Sequence, residues 1–257
     1  MSSKDKRKQP RKRKRQPSWF AIYHQESRDV GRSLAIVLPL LIAYEIAVAL
    51  LAPQIRNSAE MAVAGFIRQL PQHIVMTLRY VLLGALLAGT LWWLRESRPR
   101  ATVARPTLIL TEALLLAVLL GPAVSHLVGR IGLSAVSVDQ LPQDPAWLPF
   151  LMSIGAGLWE EIVFRLGLLG GLYVLLHRVF RMPELSAVGI GVLISALAFA
   201  LYHNVGSAGE PFVMGRFAFR AFAGTILGFL FAWRGLAVVV YMHVFYDVLC
   251  DLRLLLA

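Results

Sequence analysis

The sequence predicts an all-α protein, a polytopic bundle of about seven transmembrane helices. Three observations carry that prediction. Apolar runs of roughly 20 residues follow one another with few internal charges, and that is the length a helix needs to cross a hydrocarbon core of about 30 Å. They do so in a chain of 257 residues that is 57% hydrophobic, with a mean hydropathy of +0.63. Lysine and arginine gather between the runs rather than inside them, as the positive-inside rule requires of cytoplasmic segments. No stretch shows the alternating pattern of a transmembrane barrel.

The net charge of +11 is not spread over the chain. Residues 1–16 carry nine Lys/Arg against one Asp, so +8 of the +11 lies in the tail. A run such as Arg11-Lys-Arg-Lys-Arg15 has the composition of a nucleic-acid contact. Ahead of a membrane domain it reads instead as the mark of the cytoplasmic side and a contact for anionic lipid headgroups, so no nucleic acid is expected as a partner. Residues 1–32 are thus read as a basic, disordered cytoplasmic tail followed by an interfacial segment, Pro17 to Gly31, where Trp19 and Tyr23 suit the headgroup level. No cleavable signal peptide is expected, because the first apolar run begins near Ser33 and no small-residue cleavage site follows it.

The first span is Ser33 to Ala52, kinked at Pro39 and carrying Glu45; Pro53 ends it. Asn57 to Leu70 is amphipathic and too short to cross, so it is placed along the surface. The second span, Gln72 to Leu94, closes on Trp92-Trp93. Arg95 to Arg105 follows with four arginines and one acid, which makes it cytoplasmic. Thr107 to Val128 is the third span and contains Glu112. Gly129 to Ala146, with Asp139 and Asp144, fits the outer side. These elements make residues 33–146 an N-terminal set of transmembrane helices. Residues 147–254 form a second set: a central run from Trp147 to Leu176, then Leu185 to His203, Phe217 to Trp233, and Leu236 to Leu254. The count becomes eight if the central run divides.

The second set holds the chemistry. Glu160, Glu161 and Arg165 lie within six positions of an apolar run, and each charge at membrane depth costs about 2.5–3.5 kcal/mol even on the lenient insertion scale. Glu161 and Arg165 are i, i+4 with the acid first, the favourable order for an ion pair. Glu160 lies about 100° away around an α-helix, given its 3.6-residue turn, and has no such partner in its own segment. One carboxylate is tied up in structure and the other is available. His203 ends the next span, and His243 and Asp247 share one face of the last. A buried carboxylate beside an imidazole can take a proton from water, and a second imidazole can stabilise an oxyanion. Serine chemistry has no clear case, since Ser153 and Ser195 lie in apolar runs with no GxSxG context. The single cysteine, Cys250, excludes an internal disulfide and a Cys-rich metal site. A metal held by Glu160, His203 and His243 is chemically possible, although the HExxH signature is absent.

Glu160-Glu161-x-x-x-Arg165, Phe199-x-x-x-His203 and His243-x-x-x-Asp247, in this order on successive helices, resemble the CPBP family, the CAAX-prenyl endopeptidase and bacteriocin-processing group of glutamic intramembrane proteases. The resemblance covers about residues 147–254. Gly224-x-x-x-Gly228 is similar to the family's glycine-containing helix and would permit close backbone approach. The resemblance implies that Glu160 activates water with His203, that His243 and Asp247 form the oxyanion site, and that Glu161 and Arg165 hold the site together. It implies no metal and no organic cofactor. The substrate it implies is a membrane-associated protein or peptide, and the setting is an integral protein of the bacterial cytoplasmic (inner) membrane with its N-terminus in the cytoplasm. One departure stands out: the last position is commonly Asn in the family and is Asp247 here, and an ionised Asp accepts but cannot donate hydrogen bonds. Against the protease stand a non-catalytic binding or immunity module, a small transporter using the polar cluster as a relay, and a metal-dependent protease built from the same residues.

Overall fold

The computed structural model describes residues 18–51, 72–97, 104–134, 147–205 and 209–256. The basic tail, the amphipathic 57–70 segment, most of the Arg-rich loop and residues 135–146 lie outside the described residues. Eight helices are present among those described: α1 (Trp19–Ser27), α2 (Val30–Leu51), α3 (Gln72–Ser97), α4 (Ala104–Arg130), α5 (Leu148–Val179), α6 (Glu184–Tyr202), α7 (Met214–Arg234) and α8 (Leu236–Leu256). No strand occurs among the described residues. Five of the helices, α2, α4 (from Pro106), α5, α6 and α7, are long and apolar enough to cross a bilayer. Helices α3 and α8 occupy the other two places expected of spans. Helix α8 is too charged to pass as a simple apolar span because it carries Asp247, Asp251 and Arg253.

Local chemistry sets the helix ends. The Ser18 hydroxyl accepts from the Ala21 amide at 3.2 Å and caps α1. The Asp29 carboxylate accepts from the Arg32 amide at 2.9 Å and opens α2. Helix α7 stops at Gly235, whose φ of +88° few side chains tolerate. A Cβ at that position would also collide with the Ser27 carbonyl oxygen, so the α7–α8 turn lies directly against the end of α1.

Helix α8 is the centre of the bundle and packs against α2, α4, α5 and α7. The close approaches that the small residues promise are realised. A Cβ on Gly157 would stand 2.6 Å from the Val244 amide nitrogen, which brings α5 and α8 together. One on Gly224 would stand 3.1 Å from the Ala196 Cα, which does the same for α6 and α7. Helix α5 departs from α geometry. From Glu161 to Leu169 and again from Val174 to Val179 it is π-helical, with Gly170 N–H bonding to Arg165 C=O. Widened turns of this kind are frequent at functional sites.

Candidate active site

The six charged or imidazole side chains singled out from the sequence meet at one place, where α5, α6 and α8 converge. Glu160 is the last residue of the α-helical part of α5, and Glu161 opens the π-helical part. The sequence places these carboxylates about 100° apart with only one facing a partner. In the widened turn both lie inside the bundle, and the side chains are only 4% and 0% exposed.

Glu161 and Arg165 form the expected ion pair, Oε1 to Nη1 at 2.9 Å, with both side chains fully buried. The pair is part of a larger assembly. The same Glu161 oxygen accepts from His243 Nδ1 at 2.7 Å. Arg165 lies over the Phe199 ring, with Cζ 4.5 Å from its centroid, and reaches the Gly224 carbonyl at 3.5 Å. An arginine at membrane depth is thus met by a carboxylate, a π face and the backbone carbonyl of a glycine on α7. Phe199 also sets its edge against His203 and His243, at centroid distances of 5.1 and 6.0 Å.

Glu160 faces the two imidazoles. Its Oε1 is 3.9 Å from His203 Nε2, and its Oε2 is 3.7 Å from His243 Nε2. Both gaps exceed a hydrogen bond. The other ring nitrogens are committed: His203 Nδ1 lies 2.8 Å from the Phe199 carbonyl oxygen, to which it can only donate, and His243 Nδ1 is held by Glu161. In each neutral ring the Nδ1 proton leaves Nε2 as the acceptor, turned toward Glu160. Asp247 completes the group, with Oδ2 3.5 Å from His243 Nε2 and a side chain 25% exposed.

One residue of this site has no counterpart among the sequence candidates. Tyr202, immediately before His203, donates its phenol hydrogen to Glu160 Oε1 at 2.5 Å, and its ring lies 4.3 Å from that of His203. Nothing in the spacing of Tyr202 marks it; an aromatic near a helix end reads as packing or an interface anchor.

The remaining polar residues divide differently. Ser195 donates to the Phe164 carbonyl at 2.7 Å and Ser153 to Asp251 at 2.6 Å, so neither hydroxyl has an imidazole base. Among the described residues no group of three or more His, Cys, Asp or Glu is arranged to hold a metal ion. Arg216 and Arg220 pair with Glu210 at 2.9 and 2.8 Å. Glu210 lies in the loop after α6 and also ties its amide to the His203 carbonyl at 2.8 Å. Burial alone pushes the Glu210 carboxyl up, but the hydrogen bond from Arg220 and the charges of Arg220 and Arg216 outweigh it and hold the group below its usual range. Glu112 pairs inside the bundle with Arg234.

A comparison with known families matches residues 142–249 to the model described as "Type II CAAX prenyl endopeptidase Rce1-like". This segment is similar to that family. The match spans α5 to most of α8, the helices that bring the motif residues together, and it bears out the CPBP resemblance read from those motifs. It supports an integral membrane protease of the CAAX type in general, acting on a membrane-associated protein or peptide. No curated protein and no solved structure matches the chain.

Proposed function

We propose that the chain is a glutamic intramembrane endopeptidase of the bacterial cytoplasmic membrane, with its basic tail on the cytoplasmic side, and that Glu160 is its general base. The observation that supports this most directly is the pair of gaps around Glu160. A carboxylate buried at membrane depth stands 3.7–3.9 Å from two imidazole Nε2 atoms and is hydrogen bonded to neither. It accepts a hydrogen bond from the phenol of Tyr202. Water placed against Glu160 and His203 would give up a proton to the carboxylate as its oxygen attacks the scissile carbonyl. The protonated Glu160 would then pass that proton to the leaving nitrogen, so that one carboxylate serves both steps.

His243 is the oxyanion partner in this reading. Its Nδ1–H is fixed on Glu161, so Nε2 can donate to an oxyanion only when the ring is an imidazolium. Asp247, 3.5 Å away, favours that charged ring. Asp247 therefore works through His243 and is a positioning residue. Glu161 and Arg165 orient His243 and carry no proton in the reaction. Tyr202 holds Glu160 at the angle that the two imidazoles require.

The test compares protein termini in membranes of cells carrying the wild-type chain or Glu160→Gln. Specific termini present only with wild type support the reading and identify substrates. Identical termini, with the variant folded and abundant, would remove Glu160 from the chemistry. A parallel assay with chelator, then zinc, separates this mechanism from a metal-dependent one: activity that falls and returns would assign the same residues to a metal.

A further inference from the structure

We infer that Phe199 and Gly224 are positioning residues that hold the Arg165 guanidinium away from Glu160 and so leave the base free to act. The inference rests on the reading of Glu160 as the general base, and it adds what keeps that carboxylate out of an ion pair with arginine.

The competition arises from the backbone of α5. In an α-helix, residues five apart point to different faces, and Arg165 would be committed to Glu161 by position alone. From Glu161 to Leu169 the helix is π-helical, with Glu160 as its N-cap, and π-helical bonds join residues five apart. Arg165 therefore stands about one widened turn from Glu160 while remaining i, i+4 to Glu161. The charged and titratable groups around Glu160 are Tyr202 and His203 on α6, His243 and Asp247 on α8, and Glu161 and Arg165 on α5. Arg165 is the permanent cation among them. Both glutamates are buried, which strengthens the attraction of either for it. A guanidinium closed on Glu160 would make it an ion-paired carboxylate and a weaker base. It would also take up the gaps toward His203 and His243.

Of the two carboxylates, Arg165 pairs with Glu161, Nη1 to Oε1 at 2.9 Å. What holds it there comes from α6 and α7. Its Cζ lies 4.5 Å from the centroid of the Phe199 ring, and its Nη2 reaches the Gly224 carbonyl oxygen at 3.5 Å. The ring face attracts the cation through its quadrupole. The same buried ring stands 5.1 Å from His203 and 6.0 Å from His243, T-shaped to each. Phe199 thus touches the arginine and both imidazoles that face Glu160.

Gly224 serves the arginine twice, through its carbonyl and through the side chain it lacks. A Cβ there would stand 3.2 Å from Phe199 Cδ1 and 3.1 Å from the Ala196 Cα, and would press the ring from its place. One turn on, a Cβ at Gly228 would meet the side chains of Val192 and Leu169, the nearest atom at 3.1 Å. Both glycines bring α6 and α7 together, but Gly224 is the one that touches the holder of Arg165.

Ring-fluorinated phenylalanine at position 199 tests this, because fluorine withdraws charge from the ring face while barely changing its shape. Analogues with one, two and three fluorines would be incorporated there. The readout is the rate, per folded molecule, at which membranes generate the protein termini that depend on the wild-type chain, alongside the thermal midpoint. The rate should fall with each fluorine, by about 2–30-fold at the third, the weight of a cation–π contact. In an Arg165→Lys background, where a compact ammonium stacks poorly, fluorination should add little. A rate unchanged along the series, or an equal fall in both backgrounds, would overturn the inference; the fluorine series alone decides it should Arg165→Lys not fold. Gly224→Ala should lower the rate beyond any loss of stability, whereas Gly228→Ala should cost stability without lowering the rate. Equal rates in the two would remove Gly224 from the role. Glu160→Gln measured beside them separates the failures. Termini that persist in it would end the reading of Glu160 as base, while termini lost in it but indifferent to fluorination would end only this inference.

Discussion

Two polar clusters lie inside this apolar bundle, and they are built to opposite ends. At the α1 face, Glu112 receives both Arg234 Nε at 2.5 Å and Nη2 at 2.6 Å, together with the Tyr23 phenol at 2.8 Å. Arg234 also donates to Ser27 and lies over the Tyr23 ring. Every contact there is within hydrogen-bonding distance, and the cluster joins α1, α4 and α7. Around Glu160 the spacing is different. Three contacts, Glu160 to His203, Glu160 to His243 and His243 to Asp247, stand at 3.5–3.9 Å, long enough to leave a reacting molecule a place between charged groups. A satisfied network rigidifies, whereas an incompletely closed one retains capacity for chemistry. The difference between fastener and site is a matter of about an ångström.

Removing the carboxylate from each cluster should break the two in different ways. Glu160→Gln keeps the shape and the Tyr202 contact but cannot accept a proton. Cleavage should fall by about 10²–10⁴-fold, the usual weight of a general base, with little change in thermal stability in detergent. Retained cleavage with a folded protein would mean that the gaps around Glu160 are not the site.

Glu112→Gln should do the reverse. It leaves Arg234, nearly buried, without its carboxylate. Loss of one partner from such a pair costs about 3 kcal/mol, visible as a lower midpoint of thermal aggregation, while turnover per folded molecule stays near wild type. Replacing both partners, Glu112→Leu with Arg234→Met, should cost less than either single loss, because no unpaired charge remains. A double variant worse than both singles would show that the cluster contributes more than pairing.

Much of this organisation is legible in the sequence, and the reasons for what is not are physical. Apolar length fixes the spans, and charge at membrane depth marks Glu160, Glu161 and Arg165, because lipid offers such groups no partner. The i, i+4 rule correctly pairs Glu161 with Arg165. It is silent on what Glu160 meets, because those groups come from other helices, and nothing in the composition of Glu161–Leu169 announces the widened turn. The bond of Arg234 to Glu112 spans 122 positions that only tertiary packing brings together. Tyr202 is invisible for a similar reason, since its role depends on where α6 places one hydroxyl.

Tyr202→Phe sharpens the contrast within the site. It removes a hydrogen bond to a charged group worth about 1.5–3 kcal/mol, equivalent to roughly 10–100-fold in rate. If Tyr202 aligns Glu160, turnover should fall while the melting temperature stays nearly constant, and the pH profile of turnover should move because a donor to the base is gone. An unchanged profile with a lower melting temperature would make Tyr202 a packing residue only.

The smallest effect concerns Glu210, which belongs to neither extreme. Its two arginines are at ordinary hydrogen-bonding distances, yet its side chain is 39% exposed, so the pairing resembles a surface bridge of about 0–1 kcal/mol. Because the folded carboxyl is held below its unfolded value, its contribution is fully present above the ordinary carboxylate range and is lost as pH falls through the lower, folded value. Wild type should therefore melt slightly above Glu210→Gln at pH 7, and the two curves should converge on acidification. A difference that persists at low pH would locate the effect in the packing of the loop, because the backbone tie from Glu210 to His203 is the same in both proteins. The charge would then have no part in holding that loop beside the site.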